Sequence, residues 1–340
     1  MLYMAEGAIS SAREEVPAGR RRGIPETWLS PLILSPSLIA VFIFVYGFIG
    51  MTIWVSVSNW RSPERDLSLI EPLWSTYQRL FQTTRFQIDI RNTIVFTIFF
   101  LVLSVGVGLL LAIVLDQALP ARALIRNIFL FPYALSFVVT GVAWRWIFNP
   151  DAGINLLLDH LGINWLLGQV GLGPIRQSWL TSPDVIGNIP IFSAVKADIG
   201  FPIAMFPVII AAVWQLSGFA MAMYLAGLGT ISNEIREAAS LDGASTWQTY
   251  RHIIIPLLKP ITISTLVILG HISLKIFDLI FAMSGKGPGF ATDVPGIFVY
   301  ETTFSATRYN LGAAASIVML VLVSMVMIPY LARSMKDVER

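Results

Sequence analysis

Three ionisable side chains fall inside one long apolar stretch of this sequence. His271, Lys275 and Asp278 stand at i, i+4 and i+7, so on a continuous helix they share one face and Lys275 reaches Asp278 one turn away. Inside a bilayer each such group costs about 2.5–3.5 kcal/mol and tends to face a cavity or a partner. Three chemistries are open. The residues could form a polar wall of a transport pathway, with Ser273 beside them for hydroxyl groups. Lys275 and Asp278 could instead be an intramembrane ion pair that orients the helix, or all three could relay protons. A second apolar stretch holds Trp214, Gln215, Ser217, Phe219 and Tyr224 among small residues such as Gly218, Ala220, Ala222 and Gly227. Aromatic faces stack on the apolar face of a pyranose and amides read hydroxyls, while small residues equally permit close helix packing.

Other chemistries have no residues to carry them. There is no cysteine, which excludes disulfides, thiolate metal sites and cysteine nucleophiles. No serine-histidine-acid set or metal-spaced cluster stands out, so neither a catalytic residue nor a metal ligand is assigned. The run Gly285-Lys286-Gly287-Pro288-Gly289 is not a phosphate loop, because no Gly-x-x-x-x-Gly-Lys-[Ser/Thr] occurs anywhere. With a net charge of +2 and scattered basic residues, nucleic acid is not an expected partner.

The elements that position these groups are membrane helices. Of 340 residues, 55% are hydrophobic and 13% charged, and the mean hydropathy is +0.71. The apolar residues gather into blocks long enough to cross a hydrocarbon core of about 30 Å. The expected spans are 32–57, 93–115, 127–148, 203–229, 262–284 and 311–332, within an all-α membrane domain over 30–335. Residues 186–195 are too few to span. Gly106 and Gly108 suggest packing, and Trp144, Arg145 and Trp146 read as an anchor at the membrane interface. Segment 1–29, with Arg13 and the run Arg20, Arg21, Arg22, is expected in the cytoplasm, as is the C-terminus, on a slight excess of basic residues in the inside segments. A retained first span, not a cleaved signal, follows from its length. That orientation makes 230–261 a cytoplasmic loop and 149–202 a long external one, ordered against the membrane surface or a partner, with Gly168, Gly171, Gly173 and Pro174 as turn signals.

Within 230–261 the sequence Glu237-Ala238-Ala239-Ser240-Leu241-Asp242-Gly243-Ala244-Ser245-Thr246-Trp247-Gln248 predicts two short helices joined by a hinge. Gly243 supplies a left-handed cap, Ser245 with Gln248 a capping box, and Trp247 and Tyr250 large apolar anchors. Pro256 and Pro260 are expected to end the second helix at the membrane. These residues resemble the EAA motif of binding-protein-dependent ABC importer permeases: Glu237-Ala-Ala, Asp242-Gly243-Ala244, then Ile253-x-Ile255-Pro256, with Tyr250 where phenylalanine is common and Ile255 where leucine precedes the proline. The similarity runs from about Ser30 to Met335. Asn149-Pro150-Asp151-x-Gly153, Lys275-Ile276-Phe277-Asp278 and the turn at Gly285–Gly289, where Lys286 replaces a glycine, look like the carbohydrate-uptake branch, which includes maltose, oligosaccharide and glycerol-phosphate permeases.

That resemblance implies a six-helix type I ABC importer permease in a prokaryotic inner membrane. It implies that the chain is not an enzyme, and that ATP and magnesium are held by two partner ATP-binding subunits. It further implies a second, homologous permease in a heterodimer and an external solute-binding protein. Glu237, Ala238, Ala239, Asp242, Gly243, Ala244 and Pro256 would couple to the ATPase. Likeness to the maltose transporter favours Gln215, Leu216, Phe219, Ser273 and Ile276 along the substrate pathway, joined by Trp214 and His271 from the polar pattern. The expected cargo is a sugar or oligosaccharide. Permeases for a polyamine, phosphate or glycerol-phosphate, and an ion-coupled secondary transporter, are the alternatives.

Overall fold

The structure is a computed structural model that describes residues 26–117, 120–171, 173–187 and 200–338. The arginine run Arg20–Arg22, with Arg13, lies outside the described residues, as does much of the far half of the 149–202 loop. Two units divide the chain at Gly50. The first contains α1 (Glu26–Val41), which holds Pro31 and Pro36, and a π-helical turn, Phe42–Gly47, that leads into α2 (Phe48–Ser56). Phe42, Phe44 and Tyr46 are exposed. Apolar side chains such as these suit lipid or another membrane chain.

The second unit is a helical bundle. A short α3 (Ser75–Gln82) precedes α4 (Thr84–Asp116), a helix of 33 residues. Its buried face runs Asn92, Phe96, Phe100, Ser104, Gly108, Ala112. That spacing of four makes a ridge which tapers from phenylalanine to alanine and lets the next helix come close. After α5 (Arg122–Leu130) and a 3-10 turn, α6 (Phe137–Ile147) leaves at 102° to them. The third expected span is therefore two helices, broken at Leu135–Ser136, where Ser136 caps α6 through its hydroxyl. Two short helices, α7 (Ile154–His160) and α8 (Ile163–Gln169), and the antiparallel pair β1 (Val185–Ile186) and β2 (Phe201–Pro202) lie in the long loop. Asn155 orders this loop by donating to the Pro150 and Gln177 carbonyls and accepting from Trp179 Nε1.

The centre of the unit is α9 (Met205–Leu228), which is buried along most of its length. It packs on the α4 ridge so closely that a Cβ at Gly108 would lie 2.5 Å from that of Ala220. Next come α10 (Asn233–Leu241), α11 (Thr246–Thr249), a π-helical turn at Tyr250–Ile254 and α12 (Ile255–Leu257). A bend of 62° separates them from α13 (Lys259–Leu274). The fifth expected span then breaks at Lys275–Phe277 and resumes as α14 (Asp278–Met283). Last are α15 (Pro295–Tyr300), a further π-helical turn and α16 (Tyr309–Val338). Four described helices are long and apolar enough to cross a membrane, or up to six if each bent pair counts as one span. The all-α membrane fold is as expected.

Candidate functional site

The loop between α9 and α13 is built from its caps. Helix α10 stops because Gly243, at φ +77°, turns into the left-handed region that a glycine enters without steric cost. The Gly243 N–H donates to the Ser240 carbonyl at 3.1 Å and that of Ala244 to the Ala239 carbonyl at 3.0 Å, a pattern that satisfies the last carbonyls of a helix. Ser245 then restarts the chain: its hydroxyl accepts from the Gln248 N–H, while Gln248 Oε1 accepts from the Ser245 N–H at 2.8 Å. This is the reciprocal box that the residue types predict. Glu237, Ala238, Asp242 and Gly243 are exposed, Ala244 is half-buried and Ala239 is buried. Leu241 (90% exposed) and Trp247 (65%) project apolar surface from either side of the hinge.

Pro256 and Pro260 flank the bend at which the second helix ends. Pro256 is exposed and stands next to last in the helical run from Thr246 to Leu257, while Pro260 occupies the first turn of α13, where its missing N–H has no partner to lose. The direction changes at Leu258.

One carboxylate ties this loop to α4. Asp116 Oδ2 accepts from Arg236 Nη1 on α10 at 2.7 Å and from the Tyr250 hydroxyl at 2.7 Å. The guanidinium lies 5.9 Å from the Tyr250 ring centroid. Burial alone would lower the Arg236 pKa; the hydrogen bond and charge of Asp116 outweigh it and raise it, so Arg236 stays charged. Beneath them Ala112, Leu115, Tyr224, Leu228, Tyr250, Ile254 and Leu258 form an apolar cluster. Asp116 and Arg236 had no place in the sequence reading. Their signal was a lone acid closing an apolar block and the single basic residue of α10.

The substrate-pathway candidates divide by burial. Leu216, Ser273 and Ile276 are enclosed in the chain's own core, and the Ser273 hydroxyl donates to the Gly270 carbonyl. Gln215 is buried as well, and its Nε2 donates to the Leu135 carbonyl at 2.8 Å. It thereby satisfies the backbone group freed by the 102° bend. Trp214 and Phe219 remain partly exposed, Trp214 edge-on to Trp144 and Phe219 stacked on Tyr133 at 5.4 Å. His271 is half-buried, and Lys275 and Asp278 are exposed. The face expected to join these three is interrupted, since His271 belongs to α13, Lys275 to the break and Asp278 to α14. Among the ion pairs of the described residues there is none between Lys275 and Asp278. A helix break moves i and i+3 out of the register that lets them meet.

At the other end of α4 the charges form a network. Arg85 donates to Asp293 at 2.6 Å and to Glu301 at 2.9 Å, and Lys286 reaches Glu301 at 3.3 Å. Asn92 donates to the Phe290 and Asp293 carbonyls. The Gly285–Gly289 turn is thus bound to the start of α4. It also faces Arg145, Phe148, Asn149 and Pro150 across a cavity of about 410 Å³, which brings together two motifs that the sequence keeps far apart.

Residues 104–337 match the family described as binding-protein-dependent transport system inner membrane component. A probable ABC transporter permease protein of Pyrococcus horikoshii is 36% identical over 91% of this chain and 96% of its own. The xylose/arabinose import permease protein of Haloferax volcanii is 31% identical (89% and 85%). The trehalose/maltose transport system permease protein of Thermococcus litoralis is 30% identical (90% and 93%). Among solved structures, a bacterial ABC transporter involved in the import of the acidic polysaccharide alginate superposes with a TM-score of 0.67 at 24% identity, covering 90% of this chain and 96% of that one; that likeness is one of fold. By its capped loop, its helix order and its kinship, the chain belongs to the binding-protein-dependent transport system inner membrane component family and is an ABC transporter permease with the type I importer fold.

Proposed function

We propose that this chain is one of two homologous permease subunits in an ATP-driven importer of a sugar or oligosaccharide. Two partner subunits bind and hydrolyse ATP with magnesium, and an external solute-binding protein delivers the cargo. The observation that carries the reading is the hinged loop from Glu237 to Pro256, where two capped helices expose Leu241 and Trp247 around Gly243. In this reading the loop lies in the cytoplasm with both termini and docks on an ATPase subunit. Nucleotide-driven closure displaces it, and the bundle shifts between inward-open and outward-open states. The names of the sugar-importing relatives support the cargo class. So do the partly exposed Trp214 and Phe219, which offer aromatic faces at the surface where the second permease would complete the pathway.

Proton coupling through His271, Lys275 and Asp278 is disfavoured, because the break at Lys275–Phe277 divides them between two helices. The test is uptake into vesicles that hold the permease pair, the ATPase and the binding protein. Gly243→Trp is expected to abolish ATP-dependent uptake. Retained uptake with this variant, or uptake driven by a proton gradient without any ATPase, would overturn the proposal.

A further inference from the structure

Asp116 is the last residue of α4, yet among the described residues its side-chain hydrogen bonds run to the loop that follows α9. Arg236 and Tyr250 approach it from 120 and 134 residues away, and both donate to the same oxygen, Oδ2. The two donors come from opposite sides of the Gly243 hinge: Arg236 lies on α10, ahead of it, and Tyr250 follows α11, behind it. A single carboxylate therefore closes the hinged element into a triangle whose apex is α4. The Asp116 side chain is 14% exposed and that of Arg236 27%. Ion pairs this enclosed contribute little net stability, because desolvation offsets attraction, but they fix geometry and make its loss costly. Nothing about passive loop closure requires a charge here, since the apolar cluster around Tyr250, Ile254 and Leu258 already holds the loop against α4 and α9.

We infer that Asp116 is a positioning residue for transport: it locks both halves of the coupling loop to α4, so that displacement of the loop moves α4 rather than flexing at Gly243. Motion of α4 carries α9 with it, because Gly108 and Ala220 leave no space for one helix to slide independently. The apolar cluster resists separation but not shear. Two charge-assisted bonds on one oxygen resist both, being directional. This inference rests on the reading of the loop as the element that meets the ATPase.

The test uses the assembled transporter in proteoliposomes, with its ATPase subunits and binding protein, and reads solute molecules imported per ATP hydrolysed. Asp116→Asn is expected to assemble and hydrolyse ATP while that ratio falls about tenfold, the equivalent of one hydrogen bond to a charged group withheld from the moving element. Exchanging the charges, with Asp116→Arg and Arg236→Asp together, is expected to restore most of it. A merely structural role would reduce the amount of complex and leave the ratio per complex unchanged, and that result overturns the inference. If Asp116→Asn fails to assemble, Tyr250→Phe keeps the ring in the cluster, removes only the hydroxyl and carries the same expectation. Gly243→Trp in parallel separates the two claims. Uptake that survives it refutes the coupling loop, whereas uptake lost there with a normal ratio in Asp116→Asn refutes only the role of Asp116.

Discussion

Arg85 Nε lies 2.6 Å from Asp293 Oδ2, across 208 residues of sequence. This contact pins the first turn of α4 to the segment before α15, as Asp116 pins the last turn to the loop between α9 and α13 roughly 50 Å away at 1.5 Å per residue. The guanidinium also stands 4.9 Å and 5.3 Å from the ring centroids of Phe290 and Phe298, so flat, delocalised charge is used on three sides at once. Asp293 is fully buried. Replacing it by alanine leaves Arg85 with Glu301 and the nearby charge of Asp89, and is expected to lower unfolding stability by about 2 kcal/mol. Asp293→Asn retains an acceptor and should lose less. Arg85→Lys should behave like the alanine variant, because one ammonium cannot span both carboxylates. Thermal melts of the purified permease in nanodiscs rank the three.

Within this chain the Gly243 hinge distinguishes side chains by backbone, not by size. At φ +77° a Cβ meets no atom within 4 Å, so only the left-handed conformation is penalised, by about 1–2 kcal/mol for an ordinary residue and less for asparagine. Gly243→Asn is therefore expected to keep ATPase binding near normal and Gly243→Val to weaken it about tenfold, measured by titrating the ATPase subunit onto the permease. Equal binding by the two variants would show that the hinge is not read through its conformation.

Legibility in the sequence followed the strength of the physics involved. Bilayer-length apolar blocks are visible because nothing else needs them, and the Ser245–Gln248 box and the Gly243 cap are visible because each rests on local hydrogen bonds. The helix breaks were not. Residues 275–277 contain no proline or glycine, and Leu135–Ser136 follows Pro132 at a distance that lipid-embedded helices often tolerate. Those breaks are set by tertiary partners, such as Gln215 reaching the Leu135 carbonyl. The buried faces were hidden too. A helix in lipid is apolar on both sides, so α4 gives no amphipathic stripe, and only the small residues at Gly108 and Ala112 betray the packed one. Arg85 lies ahead of the expected span 93–115, because a charge near a span reads as its end, whereas α4 already begins at Thr84 as a protein-covered helix.

Gln215 separates a structural from a ligand role. Its Nε2 serves the Leu135 carbonyl at the bend between the 3-10 turn and α6. Gln215→Leu is expected to lower stability by about 1–3 kcal/mol through that unsatisfied carbonyl, with the preference among sugars unchanged in competition uptake. Trp214→Ala and Phe219→Ala are expected to do the reverse, with small changes in melting and a shift in the competing sugars. A changed sugar preference in Gln215→Leu at normal stability would return this residue to the pathway.

The contact between Gly108 and Ala220 sets a limit that can be tested by volume. A methyl group added at Gly108 would sit 2.5 Å from Ala220 Cβ and 2.9 Å from the Met221 backbone nitrogen, and a helix backbone cannot yield as a side chain can. Gly108→Ala is expected to lower stability by about 1–3 kcal/mol, the usual penalty for overpacking, and Gly108→Leu to prevent folding of the α4–α9 pair. Ala220→Gly should rescue part of the alanine variant, because it removes the nearer of the two atoms but leaves the Met221 backbone in place. Gly106, two residues away on the same helix, has no atom within 4 Å of its added Cβ. Gly106→Ala should therefore be neutral or slightly stabilising from helix propensity. Melting the four proteins side by side checks the α4–α9 register: equal losses at 106 and 108 would mean that α4 presents a different face to α9.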